Sequence, residues 1–153
     1  MIEFRRNNLL AADAEALVNS VNTVGVMGKG VALQFKKTFP GNFREYERAC
    51  KRGEVELGRM FTVELDSLMN PRYIINFPTR QHWRDSTHLE YIEQGLESMV
   101  SEIRRLNLES IAIPPLGCGG GGLSWGREVR PLIEEALSRV PEVDAYVYEP
   151  SED

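Results

Sequence analysis

Leu17-Val18-Asn19-Ser20-Val21-Asn22-Thr23-Val24-Gly25-Val26-Met27-Gly28-Lys29-Gly30 runs a strand pattern, apolar on both faces, into three glycines, and a helical pattern opens at Val31. A strand apolar on both faces belongs in the middle of a sheet. Glycines at 25, 28 and 30 let the backbone turn sharply and approach a ligand, and the following helix contributes its positive N-terminus, a combination suited to phosphate. Asn22, at the strand's carboxyl end, offers amide donors and an acceptor to a sugar diol. A plain tight turn is the alternative reading of such a cluster.

The same grammar recurs at Ile111-Ala112-Ile113-Pro114-Pro115-Leu116-Gly117-Cys118-Gly119-Gly120-Gly121-Gly122-Leu123, with five glycines in six residues. Ordering so many glycines costs backbone entropy, which argues against a mere connector, although a flexible linker has this composition too. Gly117, Gly119 and Gly122 meet the dinucleotide-binding spacing, with Glu149 as a candidate ribose acid. That fingerprint opens a doubly wound sheet, whereas only one helix and one strand remain here. Lys29 is followed by glycine rather than Ser or Thr, so the first turn is not a nucleotide-triphosphate loop. Two such turns at the carboxyl ends of central strands predict one crevice that clamps a diphosphate from both sides.

Outward from these turns, strands are predicted at Ile2–Phe4, Glu15–Val21, Met60–Leu65, Tyr73–Phe77, Ser110–Ile113 and Asp144–Tyr148. The second and fifth are central. Helices are predicted at Val31–Thr38, Gly41–Arg52, Leu89–Leu106 and within Gly126–Arg139, the last starting at Pro131 because proline fits a first turn. This alternation is an α/β pattern in one domain, as 153 residues with 42% hydrophobic content allow. Cys50 and Cys118 form no metal-ligand spacing and are read as reduced thiols. The charged start and the lack of long apolar runs lead to the expectation of a cytoplasmic protein with no membrane contact. A net charge of −5 argues against a domain held to nucleic acid by counterion release along the backbone.

Four ordered pieces, Glu15–Thr23, Gly25–Phe35, Asn76-Phe77-Pro78-Thr79 and Pro115-Leu116-Gly117-Cys118-Gly119, resemble macrodomains, within them the subgroup of the terminal ADP-ribose protein glycohydrolase and the DarG-type antitoxins. The resemblance covers residues 2 to about 149 and leaves 150–153 as a short acidic tail. It implies a three-layer α/β/α sandwich with a mixed six-stranded sheet and ADP-ribose across the strand ends. Neither cofactor nor metal is expected. By position, Asn8 and Leu9 meet adenine, although an aspartate is common where Asn8 stands. Asn22 and Thr23 lie near the distal ribose, beside Gly28, Lys29, Gly30 and Val31. Pro78 and Thr79 follow, while Leu116, Gly117, Cys118, Gly119, Gly120, Gly121, Gly122 and Leu123 surround the diphosphate.

Two departures bear on chemistry. Glycohydrolases of this subgroup place a nucleophilic lysine where this chain has Arg80, and the protein glycohydrolase places an aspartate where Gly121 stands. A guanidinium stays protonated and cannot attack an anomeric carbon. The expected catalytic residues are therefore Asn22 on the ribose, Arg80 on phosphate or leaving group, and His82 at the rim, with water as nucleophile. Trp83 either stacks on a base or sugar or packs beneath its loop; Arg72, Arg80 and Arg84 are expected to form a basic rim, and Trp125 to be core. Cys118 is read as a small filler rather than an activated thiol.

The favoured expectation is a hydrolase removing mono-ADP-ribose from modified DNA at thymidine. The alternatives are release of an ester from acidic protein side chains, and a binding module without turnover. A monomer is expected, with a cognate ADP-ribosyltransferase toxin as partner, only weak binding to unmodified nucleic acid, and activity on modified DNA that depends little on salt.

Overall fold

A computed structural model describes residues 1–151. The expected terminal tail therefore lies partly outside the described residues, at 152 and 153. Six strands, β1 (Ile2–Arg5), β2 (Ala16–Val21), β3 (Phe61–Glu64), β4 (Tyr73–Pro78), β5 (Ser110–Ile113) and β6 (Asp144–Tyr148), form one sheet in the order β1-β6-β5-β2-β4-β3. All pairs are parallel except β3 with β4. β2 and β5 occupy the middle, as their two-sided apolar patterns require.

Alternation along the strands divides the core in two. Ala16 and Val18 of β2 join Phe77, Ile111 and Val147 on the face covered by α3 (Leu89–Leu106) and α4 (Arg130–Ser138). Leu17 and Val21 turn the other way, toward Phe35 of α1 (Gly30–Thr38) and Tyr46 and Ala49 of α2 (Pro40–Lys51). The result is the expected α/β/α sandwich. In α3 the buried Ile92, Leu96, Met99, Val100 and Ile103 recur at helical spacing, and each removes on the order of 1.5–3 kcal/mol of apolar surface from water. The helix stops at Asn107, which adopts the left-handed conformation and whose N–H donates back to Arg104 and Ile103. Gly95 lets α3 close on the sheet, because a Cβ there would lie 2.3 Å from the Phe77 ring.

Sequence and structure differ at the ends of elements. α2 starts at Pro40, one residue before the prediction, since proline is at home in the first turn. α4 starts at Arg130, with Pro131 in its first turn, behind one π-helical turn at Trp125–Val129 that periodicity does not reveal. A short 3₁₀ turn at Leu9–Ala11 was likewise not expected. Trp125 packs against the α3/α4 core, as read.

Candidate functional site

Because β2, β4 and β5 are parallel, their carboxyl ends share one edge of the sheet, where three connections meet. After β2, the Asn22 side chain builds its own loop. Its Oδ1 accepts from the Val24 and Val26 N–H groups at 3.1 and 3.3 Å, and its Nδ2 donates to the Val26 carbonyl at 2.8 Å. The Tyr46 hydroxyl lies 2.8 Å from both oxygens of Asn22. Burial pushes the Tyr46 phenol far above its ordinary range, so it serves as a fixed donor. Gly25 completes the turn at φ +86°, a conformation that would strain any side chain.

After β5, Gly117 takes φ +73°, and a Cβ there would lie 2.7 Å from Leu123. The loop closes through the Leu123 N–H on the Gly117 carbonyl (3.0 Å) and the Gly122 N–H on the Gly119 carbonyl (3.1 Å). Gly119–Gly121 forms a 3₁₀ turn rather than a dinucleotide fingerprint, and Glu149 is occupied by Arg6 and Arg130.

Between the loops lie two clefts of about 340 and 320 Å³. Both are lined by Ser20, Lys29, Ala32, Thr79 and Arg80, so they form one trough with Arg80 at its waist. The combined space suits a nucleotide-sized ligand. A broader depression of about 540 Å³ flanks β3 and carries Glu54, Glu56 and Glu102. Arg59 and Arg105 line it too, Arg105 paired with Glu102, and neither glycine loop reaches it.

Arg80 Nη1 donates to the carbonyls of Asp85 and Gly120, at 3.1 and 3.2 Å, and so ties the connection after β4 to the second glycine loop. Thr79 Oγ1 is 3.0 Å from Ser20 Oγ, and the Thr23 N–H donates to the Gln81 carbonyl at 3.0 Å. Trp83 lines the first cleft with 39% of its surface exposed, rather than packing beneath its loop. The His82 ring stacks on it at 3.6 Å, and Arg84 lies 5.9 Å from its centroid. His82 Nδ1 accepts the Arg84 N–H at 3.1 Å, which leaves Nε2 as the ring's donor.

Of the predicted residues, Asn22, Gly28, Lys29, Gly30, Val31, Thr79, Arg80, Trp83, Gly117, Cys118, Gly120 and Gly121 line the trough. Thr23, Pro78, His82, Leu116, Gly119, Gly122 and Leu123 support its walls without lining it. Asn8 and Leu9 line neither cleft: Asn8 caps the 3₁₀ turn through the Leu10 N–H, and Leu9 is buried in the α1/α2 core. Arg72 is no part of the rim, since it precedes β4 at the opposite end of the sheet, beside Glu15. Burial and Glu128 push the Cys118 thiol up to about 11, which suits a filler.

Sequence reading missed Ser20, Ala32 and Thr87. Strand alternation contained a signal for Ser20, the polar residue facing Thr79. Thr87 had none, although its position is informative. Its hydroxyl is buried without a partner, and a Cβ on Gly121 would lie 2.6 Å from Thr87 Oγ1. The chain therefore lacks not only the loop aspartate but the room for it.

A mixed sheet with glycine-rich loops at the carboxyl ends of its two central parallel strands, flanking one trough, defines an α/β module with a nucleotide-sized cleft. Residues 18–131 match the Macro domain family model, and the chain belongs to the macrodomain family. Its structure superposes on the macrodomain of Mycobacterium tuberculosis DarG with TM-score 0.96 and 53% identity, covering 99% of each chain. The Thermus aquaticus DarG macrodomain gives TM-score 0.94 at 55% identity, over 98% of this chain and 99% of that one. Thermosipho africanus DarTG in complex with ADP-ribose gives TM-score 0.92 at 32% identity, over 99% of this chain and 42% of that one. The chain is also 55% identical, over 99% of its length, to the DNA ADP-ribosyl glycohydrolase of Thermus aquaticus, and it spans 42% of that protein. A Thermosipho africanus relative, 35% identical over 90% of this chain, is a DNA ADP-ribosyl transferase-DNA ADP-ribosyl glycohydrolase fusion protein, 39% of which the match spans.

Proposed function

We propose that this macrodomain removes mono-ADP-ribose from thymidine-linked DNA, with water as the nucleophile. The observation that carries the reading is the trough itself: two glycine loops face one another across Arg80, in a chain 53–55% identical to DNA ADP-ribosyl glycohydrolases. The bond between the anomeric carbon of the distal ribose and the base breaks with its electron pair going to the base. Water adds its oxygen to that carbon and its proton ends on the base. The transition state is cationic at the ribose, and the substrate's own diphosphate supplies nearby negative charge. Asn22 holds the first loop around the ribose, Arg80 steadies the phosphate or the leaving base, and Trp83 offers an exposed face to that base. A cognate DNA ADP-ribosyltransferase supplies the substrate, by analogy with the fusion relative.

Arg80 favours a second reading, a binding module without turnover, because its guanidinium is both non-nucleophilic and engaged by two carbonyls. Release of ADP-ribose from a modified thymidine oligonucleotide and from a modified glutamate peptide separates the readings. Faster release from DNA supports the hydrolase, and faster release from the peptide replaces DNA by protein as substrate. Micromolar binding without turnover on either, together with activity gained in Arg80→Lys, makes the protein a reader.

A further inference from the structure

Net charge hides a strong segregation. Residues 29–52 carry seven of the 18 basic residues and two of the 23 acidic ones, leaving eleven basic against 21 acidic elsewhere. We propose that the α1–α2 face is a track for the phosphate backbone of the DNA strand that carries the modified base; this rests on the hydrolase reading for its biological sense but not for its measurement.

The geometry supports a track rather than a scatter. In α2, Arg44, Arg48 and Lys51 stand at i, i+4 and i+7 and form one stripe. It lies opposite the buried face of Asn42, Tyr46 and Ala49. The helix runs toward the trough, since Asn42 bonds Asn76 within the sheet while Tyr46 bonds Asn22 and Cys50 lies against Gly25. Arg52 follows at the helix end, two residues past Cys50, which meets the first glycine loop at Gly25. From the neighbouring helix, Lys36 sits 4.5 Å over the Phe43 ring of α2, and Lys29 lines both clefts. These basic side chains are exposed, and among the described residues none is in an ion pair, so their charge is open to an anionic partner. Glu45 of the same helix, with Glu64 and Asp66, borders the stripe beside Arg44 and Arg48 and bounds its width. Cations leading away from the site where ADP-ribose is released from a DNA base complement a polyanionic strand. Such a track departs from the expectation, drawn from the net charge, of weak binding to unmodified DNA.

The test is fluorescence anisotropy of an unmodified single-stranded oligonucleotide from 50 to 200 mM salt. With four phosphate contacts at a slope near −0.7 each, wild-type affinity falls roughly 50-fold over that range. In Arg44→Gln/Arg48→Gln/Lys51→Gln the fall shrinks to about threefold, while calorimetric affinity for free ADP-ribose is unchanged. The triple variant also raises KM about tenfold on a long modified oligonucleotide and leaves turnover of modified thymidine mononucleotide intact. No binding of plain DNA by the wild type at 50 mM salt, or an unchanged salt slope in the variant, overturns the proposal. Tighter binding of a polyglutamate peptide of matched charge assigns the face to an acidic protein and overturns it equally. If the wild type releases ADP-ribose from neither substrate, the hydrolase reading fails, while the salt-dependent binding still decides the track.

Discussion

The Tyr46 hydroxyl meets Asn22 from beneath the first glycine loop, and the Asn22 amide in turn holds Val24 and Val26. Removing the hydroxyl takes a buried donor from the Asn22 oxygens, at a cost of about 1–3 kcal/mol. Tyr46→Phe is expected to lower urea stability by that amount and to weaken ADP-ribose binding several-fold by calorimetry, although Tyr46 does not line the trough. At the rim, base stacking on an aromatic face contributes about 1–3 kcal/mol. Trp83→Ala is accordingly expected to raise KM on modified DNA by about tenfold or more, with little change on a modified glutamate peptide. Gly121→Asp drives its Cβ against Thr87, so that variant unfolds at lower urea concentration, and Thr87→Ala relieves part of the loss.

Among the elements, the agreement is best where a pattern has one reading. The two-sided apolar runs placed β2 and β5 in the middle of the sheet, and α3 spans Leu89–Leu106 with both ends as predicted. The first glycine loop was legible as a turn, but not the fact that Asn22 spends its oxygen on the loop itself, which needs Tyr46, 24 residues away. Arg72 and Arg80 looked equivalent in sequence because both flank β4, yet the strand's length sets them at opposite ends of the sheet. The Arg80 bond to Gly120 spans 40 residues and leaves no local trace. Helix placement also gives a sharp test of packing. Gly95→Ala is expected to cost about 1–3 kcal/mol in urea unfolding, because Phe77 occupies the space a methyl needs and Ala's better helix propensity recovers only part.

At the scale of the molecule, the charge summary concealed a basic layer over an acidic remainder, since counting residues ignores which helix carries them. Alkaline stability is a second whole-chain property. Cys118 titrates near 11 in the fold, and burial also raises Cys50 and Tyr46. A group whose pKa is raised by folding contributes its full stability below the unfolded value. That contribution drains as pH climbs from about 8.5, the free thiol's pKa, toward the folded one. The melting temperature is expected to hold between pH 6 and 8 and to fall above that range, less steeply in Cys118→Ala.

Binding of ADP-ribose in the trough is tested most directly by a soaked crystal read for density between the loops after β2 and β5. The expected result is the pyrophosphate beside Gly117, Gly120 and the Gly28–Gly30 turn, with the distal ribose next to Asn22 and Arg80. A trough without density at saturating ADP-ribose, or the ligand seated at another cleft, contradicts it.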